Sequence, residues 1–362
     1  MICKTILFII DGLSGGGAEK IVLTLAEAMV KKGHDVIIAS LRREKAYPLP
    51  QGVRYFLIED TYRGPLWRQT EIQRRARLLD QALLENIGEQ KIDLAVSHLP
   101  KTDRIVVASE KLRDAWLCLH CALTAGELKN KSGLRRFFKR RQLVKTYSGR
   151  KIITVSRALQ EDVLAVGIRP ARMTTIYNPI NLSHVRAQAC AQSPFEGERF
   201  LLHVGRFNSQ KRHDRLLEAF KMSGYQGKLI LLGQGTEEEK ASLEEQAKNL
   251  EISHQLVIHG FIENPYLTMR AAEALLLSSD YEGLPNVLVE ALACGTQVIS
   301  TNCPYGPAEI LQGPLAQGLC ALTPSALAET IRHVLSHPVA ITEEMLEPFT
   351  LEQSVQGYLE LI

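Results

Sequence analysis

Residues 274–292 read ALLLSSDYEGLPNVLVEAL, which predicts a buried strand, a short loop and the opening turns of a helix. The helix is expected to begin near Pro285, since proline is tolerated in a first helical turn. Glu282 then lies in the loop, and Glu290 lies about 1.5 turns into the helix at about 3.6 residues per turn. Amides of Gly283–Asn286 could bind an anionic or hydroxyl-rich ligand there. A glutamate that caps the helix and a glutamate on its surface would give the same pattern. Other segments of the chain are therefore needed to distinguish a ligand site from this structural alternative.

The same strand–loop–helix unit recurs along the 362 residues. The predicted strands are short apolar runs between helical patterns: Thr5–Ile10, Asp35–Ser40, Val53–Ile58, Asp93–Ser97, Ala115–Leu119, Lys151–Val155, Phe200–Val204, Lys228–Leu232, Leu256–His259, Ala274–Leu277 and Gln297–Ser300. Alternating strands and helices with short connections predict an α/β fold with a doubly wound parallel sheet, here formed twice.

The turn-forming pair Asn178-Pro179 marks the expected domain boundary. We expect a first domain over residues 1–177 and a second over residues 178–345. The final segment, 346–362, has a helical apolar pattern and is expected to return to the first domain.

Composition indicates a soluble protein with an ordinary core, since 45% of the residues are hydrophobic and 23% are charged. Seven cysteines, an odd number, favour reduced thiols in a cytosolic setting over a disulfide framework. Cys118 and Cys121 form a lone C-x-x-C, for which buried thiols are a better interpretation than a redox or zinc site. The opening apolar run is too short for a signal peptide, so we expect a protein that is neither exported by that route nor membrane-spanning.

The net charge of +3 conceals an asymmetry between the halves. Residues 1–180 hold 31 Lys and Arg against 18 Asp and Glu, whereas residues 181–362 hold 12 against 22. The first half is therefore expected to face something anionic, such as a membrane surface, a lipid-linked phosphate or a nucleic acid.

Two glycine-containing loops follow predicted strands. In the first, Gly15, Gly16 and Gly17 precede a helix, where free amides and the helix dipole could hold an anion, although a tight turn packed on glycine is the alternative. The spacing is neither G-x-G-x-x-G nor a Walker A motif, which argues against a standard dinucleotide or ATP site. In the second, Gly205 ends a strand and Arg206 and Lys211 follow, a combination that suits a diphosphate unless the loop is merely solvated.

A basic segment, residues 129–151, contains ten Lys and Arg and no acid, with interleaved apolar residues. Its candidate contacts to an acceptor or a membrane are Arg135, Arg136, Lys139, Arg140 and Arg141. A basic amphipathic helix of this kind can lie on anionic lipid, and a solvated helix is the alternative. Because no helix-turn-helix, RRM or OB signature accompanies it, we expect no nucleic-acid partner.

The spacing Glu282-x7-Glu290 resembles the signature of glycosyltransferase family 4, whose members have the GT-B fold of two Rossmann-like domains facing a cleft. Four further segments resemble the same family: Gly15–Lys20, Asn178-Pro179, Gly205–Lys211 and residues 300–310. The last is similar to a segment of members that build bacterial lipopolysaccharide or lipid-linked glycans.

The resemblance implies retaining transfer from a nucleotide sugar without a metal or other cofactor. It implies that Arg206 and Lys211 hold the donor diphosphate, Glu290 the ribose and Glu282 the sugar hydroxyls, with the base near Ile262. The implied donor site comprises Gly15, Gly16, Gly17, Arg206, Lys211, Ile262, Glu282, Gly283, Leu284, Pro285, Asn286, Val287 and Glu290.

His120 follows a predicted strand at a position where the family often carries a histidine facing the donor. The resemblance therefore adds it to Glu282, Arg206 and Lys211 as a catalytic candidate, although a lone histidine there is more often structural. The family sometimes has a second histidine two residues later, where this chain has Ala122.

The overall expectation is a cytosolic transferase at the inner face of the cytoplasmic membrane. It would move a hexose or N-acetylhexosamine from a UDP-sugar to a lipopolysaccharide or lipid-linked glycan. Two alternatives stay open. One is another GT-B sugar-nucleotide enzyme of the epimerase kind, and the other is a non-catalytic adaptor that binds membrane or nucleic acid.

Overall fold

The computed structural model describes residues 2–13, 16–43 and 47–362. The chain divides into unit 1, Met1–Pro179 with Leu351–Ile362, and unit 2, Ile180–Thr350. These limits differ by two and five residues from those predicted, because Ile180 and Thr350 pair with each other inside unit 2. The amide of Ile180 also donates to the Phe349 carbonyl at 3.0 Å.

Unit 1 contains a parallel sheet and the helices that cover it. The strands are β1 (Thr5–Ile10), β2 (Asp35–Ser40), β3 (Arg54–Leu57), β4 (Leu94–His98), β5 (Trp116–Leu119), β6 (Lys151–Thr154) and β7 (Arg172–Thr175). The helices are α1 (Gly17–Lys31), α2 (Glu71–Ile87), α3 (Pro100–Ala108), α4 (Leu123–Gly126), α5 (Gly133–Tyr147), α6 (Arg157–Val166) and, from the C-terminal segment, α15 (Leu351–Leu359). The described strands follow the order β3-β2-β1-β4-β5-β6-β7.

Unit 2 repeats this plan. Its strands are β8 (Phe200–Val204), β9 (Lys228–Leu232), β10 (Leu256–Gly260), β11 (Ala274–Leu277), β12 (Gln297–Thr301) and β13 (Leu319–Cys320), in the order β10-β9-β8-β11-β12-β13. Its helices are α7 (Leu182–Gln188), α8 (His213–Ser223), α9 (Glu237–Asn249), α10 (Tyr266–Ala271), α11 (Asn286–Ala293), α12 (Pro307–Ile310), α13 (Pro324–Ser336) and α14 (Glu343–Leu346). Short 3₁₀ helices cover Ser209–Lys211, Gly313–Gly318 and Glu347–Phe349.

The central strands are buried on both faces, which explains their unbroken apolar sequences. All six residues of β1 are buried, and every residue of β11 is buried as well. In unit 1, helix α1 buries a face that carries Ile21, Leu25 and Met29 at helical spacing. The predicted α/β fold with two doubly wound parallel sheets is thus confirmed.

The elements that the sequence did not predict are short or lie at an edge. Strand β7 pairs with β6 at the end of the first sheet, and β13 consists of two residues at the end of the second. Helix α7 begins where Asn181 Oδ1 accepts the amide of His184 at 3.0 Å. Such segments carry too few buried residues to produce a periodic pattern.

In each sheet the strand order reverses beside the first strand, between β1 and β4 and between β8 and β11. Ligands of doubly wound sheets bind beyond the carboxyl ends of the strands at this reversal. A functional site is therefore expected at one or both of these reversal points.

Candidate functional site

Two loops leave the carboxyl ends of β8 and β11 at the reversal point of unit 2. The first begins with Gly205, whose amide donates to the Leu232 carbonyl at 2.9 Å. A Cβ at Gly205 would lie 3.1 Å from Cε of Lys211, so glycine leaves room for the lysine side chain. A Cβ at Gly233 would overlap the Gly205 carbonyl. Close approach of the backbone therefore requires glycine at position 233, whereas a Cβ at Gly205 would crowd the side chains of His203 and Lys211.

Lys211 and Glu282 form an ion pair across these loops, with Nζ 2.7 Å from Oε1. The side chains are only 15% and 10% exposed. Ser279 Oγ donates to the same carboxylate oxygen at 2.5 Å, and Thr301 Oγ1 donates to the Ser279 carbonyl at 2.8 Å. An ammonium and a carboxylate held this way can bind a diphosphate and sugar hydroxyls, respectively.

The residue after Lys211 is strained and firmly held. Arg212 has a φ of 50°, a left-handed conformation that is uncommon for arginine. Its guanidinium pairs with Asp214 at 2.8 Å and with Asp280 at 3.0 Å, and the bond to Asp214 raises the pKa of Arg212. Arg215 donates to Asp280 at 2.9 Å. These ion pairs tie the loop that carries Lys211 to the loop that carries Glu282.

The other predicted donor residues of unit 2 are placed separately. Arg206 is exposed, and no hydrogen bond or ion pair holds its guanidinium within the described residues. Glu290 accepts a hydrogen bond from Tyr266 Oη at 3.1 Å. Ile262 is half-buried in the loop after β10, beside Phe261, whose side chain is exposed. The structure thus joins Lys211 to Glu282 and leaves the guanidinium of Arg206 open to a ligand.

The loop Gly283–Pro285 is buried and leads into α11 at Asn286. A second loop supports it from behind, because Glu282 N donates to the Pro304 carbonyl at 3.2 Å. Gly306 has a φ of 107°, and a Cβ there would lie only 2.6 Å from the supported loop. The segment 300–310 therefore positions the entrance of α11.

Several buried polar atoms without a hydrogen-bond partner gather at the carboxyl edge of the unit 1 sheet. Among the described residues they end or follow the adjacent strands β1, β4, β5 and β6: Asp11 Oδ1, His98 Nε2, Thr102 Oγ1, His120 Nδ1 and Ser156 Oγ. Buried polar atoms are usually paired, so a group of orphans at the edge where ligands bind indicates a binding surface.

His98 and His120 form a direct pair at this edge, with Nδ1 of His98 2.9 Å from Nε2 of His120. Burial lowers the pKa of His98 well below its usual value and lowers the pKa of His120 to about 4. Both rings are therefore neutral at pH 7. One of the two facing nitrogens carries a proton and donates a hydrogen bond to the lone pair of the other. The sequence reasoning found His120 and missed His98, although His98 ends β4 as His120 follows β5.

Cys118 joins the two histidines in a group whose ligand atoms lie within 4.8 Å of one another. Burial raises the pKa of the Cys118 thiol to about 12. The sulfur lies 3.6 Å from Tyr358 Oη of α15. The contacts that the structure shows in this group are thus a histidine–histidine hydrogen bond and a thiol–phenol contact.

The glycine-rich turn after β1 is described only in part, and Gly15 lies outside the described residues. Gly16 is the N-cap of α1, and Gly17 is its first residue. A Cβ at Gly16 would overlap the carboxylate of Glu19, which folds back over the helix start. Because this carboxylate is the end of a flexible side chain, the overlap does not by itself require glycine, and the role of this turn in donor binding stays a prediction.

The five predicted cations of the basic segment, now in α5, separate into two groups. Three have partners inside unit 1: Arg136 and Arg140 donate to backbone carbonyls at 2.9 and 2.7 Å, and Lys139 pairs with a glutamate. Two are exposed and make no hydrogen bond or ion pair within the described part of the chain: Arg135 and Arg141. Leu134, Phe137 and Phe138 are exposed by 75%, 55% and 63%. Helix α5 therefore has one face turned inward and one apolar, basic face turned to solvent.

Acid is expected to destabilise the protein through its buried histidines. Burial lowers the pKa of both His120 and His213 to about 4, whereas unfolded histidine titrates near 6.5. Below about pH 6.5 the unfolded chain takes up protons that the folded chain refuses, so the free energy of unfolding falls by up to about 1.4 kcal/mol per pH unit for each histidine. The loss is complete once the folded histidines also titrate, near pH 4.

Urea denaturation between about pH 6.5 and 5, above the main carboxylate range, measures this slope. His213→Phe should make the slope shallower, because phenylalanine takes up no proton when the chain unfolds. His213 is buried, and its Nε2 has no hydrogen-bond partner among the described residues. The control His254→Phe removes an exposed histidine and should leave the slope unchanged. Equal slopes in the wild-type protein and both variants would contradict the assignment of the acid destabilisation to His213.

Two family models match the chain, one in each part. The model described as Glycosyltransferase Family 4 matches residues 15–184, and the model described as Glycosyl transferases group 1 matches residues 186–349. Together they include His120 and the Lys211–Glu282 pair.

Individual relatives and structures agree with these matches. The chain is 26% identical over 305 residues, 83% of its length and 81% of the relative's, to the Campylobacter jejuni N-acetylgalactosamine-N,N'-diacetylbacillosaminyl-diphospho-undecaprenol 4-alpha-N-acetylgalactosaminyltransferase. It is 30% identical to the lipopolysaccharide 1,6-galactosyltransferase of Escherichia coli K12 over 167 residues, 44% of this chain and 45% of that enzyme. The crystal structure of Anabaena HepE with UDP and glucose superposes with a TM-score of 0.80 over 99% of both chains at 18% identity, which shows the same fold.

Proposed function

Because this chain belongs to glycosyltransferase family 4 and is thus an enzyme that transfers hexosyl units, we propose that it moves a hexose or N-acetylhexosamine from a UDP-sugar to a lipopolysaccharide or lipid-linked glycan. Transfer with retention of the anomeric configuration, at the inner face of the cytoplasmic membrane, is part of the proposal. The C. jejuni and E. coli relatives are named for lipid-diphosphate and lipopolysaccharide acceptors, and the Anabaena neighbour was crystallised with UDP.

The Lys211–Glu282 pair at the reversal point of unit 2 is the observation that carries the proposal. As the bond between the sugar and the diphosphate breaks, negative charge grows on the nucleotide. Lys211 is cationic, as is the guanidinium of Arg206, which has no ion-pair partner among the described residues. Both can stabilise this charge, as can the partial positive charge at the amino end of α11. Glu282 is then released to accept hydrogen bonds from sugar hydroxyls, while Glu290 and Ile262 are assigned to ribose and base.

Calorimetric titration of the full-length protein with UDP-, GDP- and ADP-sugars tests the donor. We expect one UDP-sugar to bind and UDP to compete with it. Binding of a GDP- or ADP-sugar alone would overturn the UDP assignment. Failure of every nucleotide sugar to bind or react would overturn the transferase proposal as a whole, and release of free sugar that no acceptor suppresses would favour an epimerase-like enzyme.

Helix α5 supports the membrane part of the proposal. Its outer face combines Leu134, Phe137 and Phe138 with Arg135 and Arg141, an apolar and basic surface suited to anionic lipid. Across the described residues, every helix is too short or too polar to cross a bilayer. The proposed attachment is peripheral and depends on the outer face of α5.

Changing Phe137 and Phe138 to Glu is expected to weaken sedimentation with phosphatidylglycerol vesicles by about 10-fold or more, because two apolar contacts are lost and two like charges are added. The matched control changes Leu84 and Met222, which are 55% and 52% exposed, to Glu and so adds the same charge elsewhere. Equal sedimentation of both variants would remove α5 as the membrane contact.

A further inference from the structure

A cavity of about 290 Å³ lies in unit 1 between the starts of α2 and α3 and the inner face of α5. Its charged walls come from six side chains: Arg68, Glu71, Lys101, Arg104, Glu127 and Lys139. Helix α2 follows β3 and α3 follows β4, so both begin at the carboxyl edge of the sheet, where β4 ends in His98. The cavity therefore adjoins the edge at which ligands of doubly wound sheets bind.

The cations of this cavity outnumber its carboxylates by two. Lys101 Nζ pairs with Glu71 Oε1 at 2.8 Å, and Lys139 pairs with Glu127. The two arginines have no carboxylate partner within the described residues, and the guanidinium of Arg68 lies 5.0 Å from the centre of the Trp67 ring. Unpaired guanidinium groups at a cavity wall favour an anionic ligand with a planar pair of oxygens.

Tyr147, one of the residues that line the cavity, takes part in a buried hydrogen-bond network. Tyr147 is buried, and its Oη donates to Asp103 Oδ2 at 2.7 Å. Ser97 Oγ donates to the other oxygen of Asp103 at 2.7 Å. Burial raises the pKa of Asp103 to about 7, and these two hydrogen bonds hold its carboxyl group. Asp103 is fully buried and is not among the described residues that line the cavity.

Helix α5 connects the cavity with the proposed membrane face. Lys139, Leu143 and Tyr147 recur at a spacing of four and line the cavity, as one face of a helix does. The exposed Phe137 and Phe138 lie on the other side of the same helix. The cavity and the proposed membrane face are therefore separated by the width of one helix, about 10–12 Å.

We propose that this cavity binds the diphosphate of a lipid-linked acceptor, with Arg68 and Arg104 as its principal contacts. The proposal rests on the transferase function above and names the acceptor that unit 1 takes. A diphosphate diester carries two negative charges, which match the excess of two cations. The same chemistry could come from a phospholipid headgroup or from free phosphate, and the experiments separate these sources.

Direct binding is measured by titrating farnesyl diphosphate into the full-length protein and following tryptophan fluorescence. Both tryptophans, Trp67 and Trp116, lie in unit 1, and Trp67 is the neighbour of Arg68. We expect saturable quenching by farnesyl diphosphate and none by farnesol. The double change Arg68→Gln and Arg104→Gln should raise the Kd by at least about 10-fold.

The matched control replaces Arg77 and Arg113, two exposed arginines of unit 1 outside the cavity, with Gln. It removes the same charge and should leave the Kd unchanged. Thermal unfolding of both double variants checks that they are folded. An equal Kd in the cavity variant and the wild-type protein, or an equal loss in the control, would overturn the proposal.

Kinetics with the identified donor provide a second measurement. The cavity variant should raise the KM for a farnesyl-diphosphate-linked sugar by at least about 10-fold and leave the donor KM and the activity toward an octyl glycoside of that sugar unchanged. If inorganic diphosphate competed as strongly as farnesyl diphosphate, the cavity would be a site for free phosphate. If only sedimentation with phosphatidylglycerol vesicles fell, it would be a headgroup site. Either result overturns the assignment.

The cavity proposal and the transferase proposal fail in different ways. A protein that turns over a nucleotide sugar normally but binds farnesyl diphosphate equally well in all variants would disprove the cavity proposal alone. A protein that binds no nucleotide sugar would disprove the transferase proposal, and the fluorescence titration would still decide whether the cavity takes a lipid diphosphate.

Discussion

Replacing Lys211 with methionine is expected to lower kcat by roughly 100- to 1,000-fold, the loss typical when one donor to a developing negative charge is removed. Methionine keeps most of the length of the side chain and removes its charge. The donor KM should change less than kcat, because the charge on the leaving diphosphate grows as the bond breaks. Initial rates at saturating acceptor, over a range of donor concentrations, separate the two constants.

The same change also leaves the carboxylate of Glu282, whose side chain is only 10% exposed, without its cation. An unpaired buried charge is expected to lower the free energy of unfolding by about 1–3 kcal/mol. The double change Lys211→Met and Glu282→Gln should recover most of that stability but none of the activity. If the double variant recovered activity as well, the loss in Lys211→Met would come from the stranded carboxylate and not from the diphosphate.

A matched control for the lysine substitution is Lys240→Met. Lys240 pairs with Glu237 at 2.7 Å on the surface, where the glutamate side chain is 86% exposed. Surface pairs of this kind contribute about 0–1 kcal/mol, so both stability and kcat should stay near the wild-type values. A comparable loss in this control would mean that charge removal anywhere in unit 2 disturbs the enzyme.

The strands and helices of this fold could be predicted from local sequence, whereas the contacts of the site could not. The apolar run Ala274–Leu277 predicts a strand by itself, and the helix expected near Pro285 begins at Asn286. The pairing of Lys211 with Glu282 joins residues 71 positions apart. It follows from the adjacency of β8 and β11, which is a property of strand order and not of either loop.

Some of what was missed did have a local signal. Gly16 and Glu19 stand three residues apart at a helix start, the spacing at which a glutamate folds back over the helix end. Read that way, the turn after β1 predicts a carboxylate close to Gly16, as the structure has it. The division of the basic segment had no such signal, because the inward bonds of Arg136 and Arg140 depend on how α5 packs on its neighbours.

His98 could have been predicted by the argument that identified His120. Parallel strands end at one edge of their sheet, so a polar residue that ends β4 is as strong a candidate as one that follows β5. Because the two neutral imidazoles are close enough to share one hydrogen bond, the roles of their nitrogens are linked. Of the two nitrogens outside that bond, one is a donor and the other an acceptor.

Changing His98 to leucine is accordingly expected to lower kcat/KM by about 10- to 100-fold, although His98 is a positioning residue. Leucine removes the partner that fixes which nitrogen of His120 carries the proton. His98→Asn places a polar atom near the former Nδ1 and should recover part of the activity, while a purely structural role would give both variants the same activity at equal stability. Long-range ¹⁵N–¹H spectra of labelled histidine report the tautomer directly.

Those spectra make the expectation specific. In the wild-type protein, His120 should show one tautomer, neutral down to about pH 4, because burial sets its pKa there. In His98→Leu, the same resonance should report a mixture of tautomers with little change in pKa, since burial and not His98 causes the shift. Full activity in His98→Leu would contradict the proposed role of His98 in fixing the His120 tautomer. Reduced activity with an unaltered His120 tautomer would contradict it as well. A mixed tautomer that accompanies the loss would place His98 in the reaction through His120 alone.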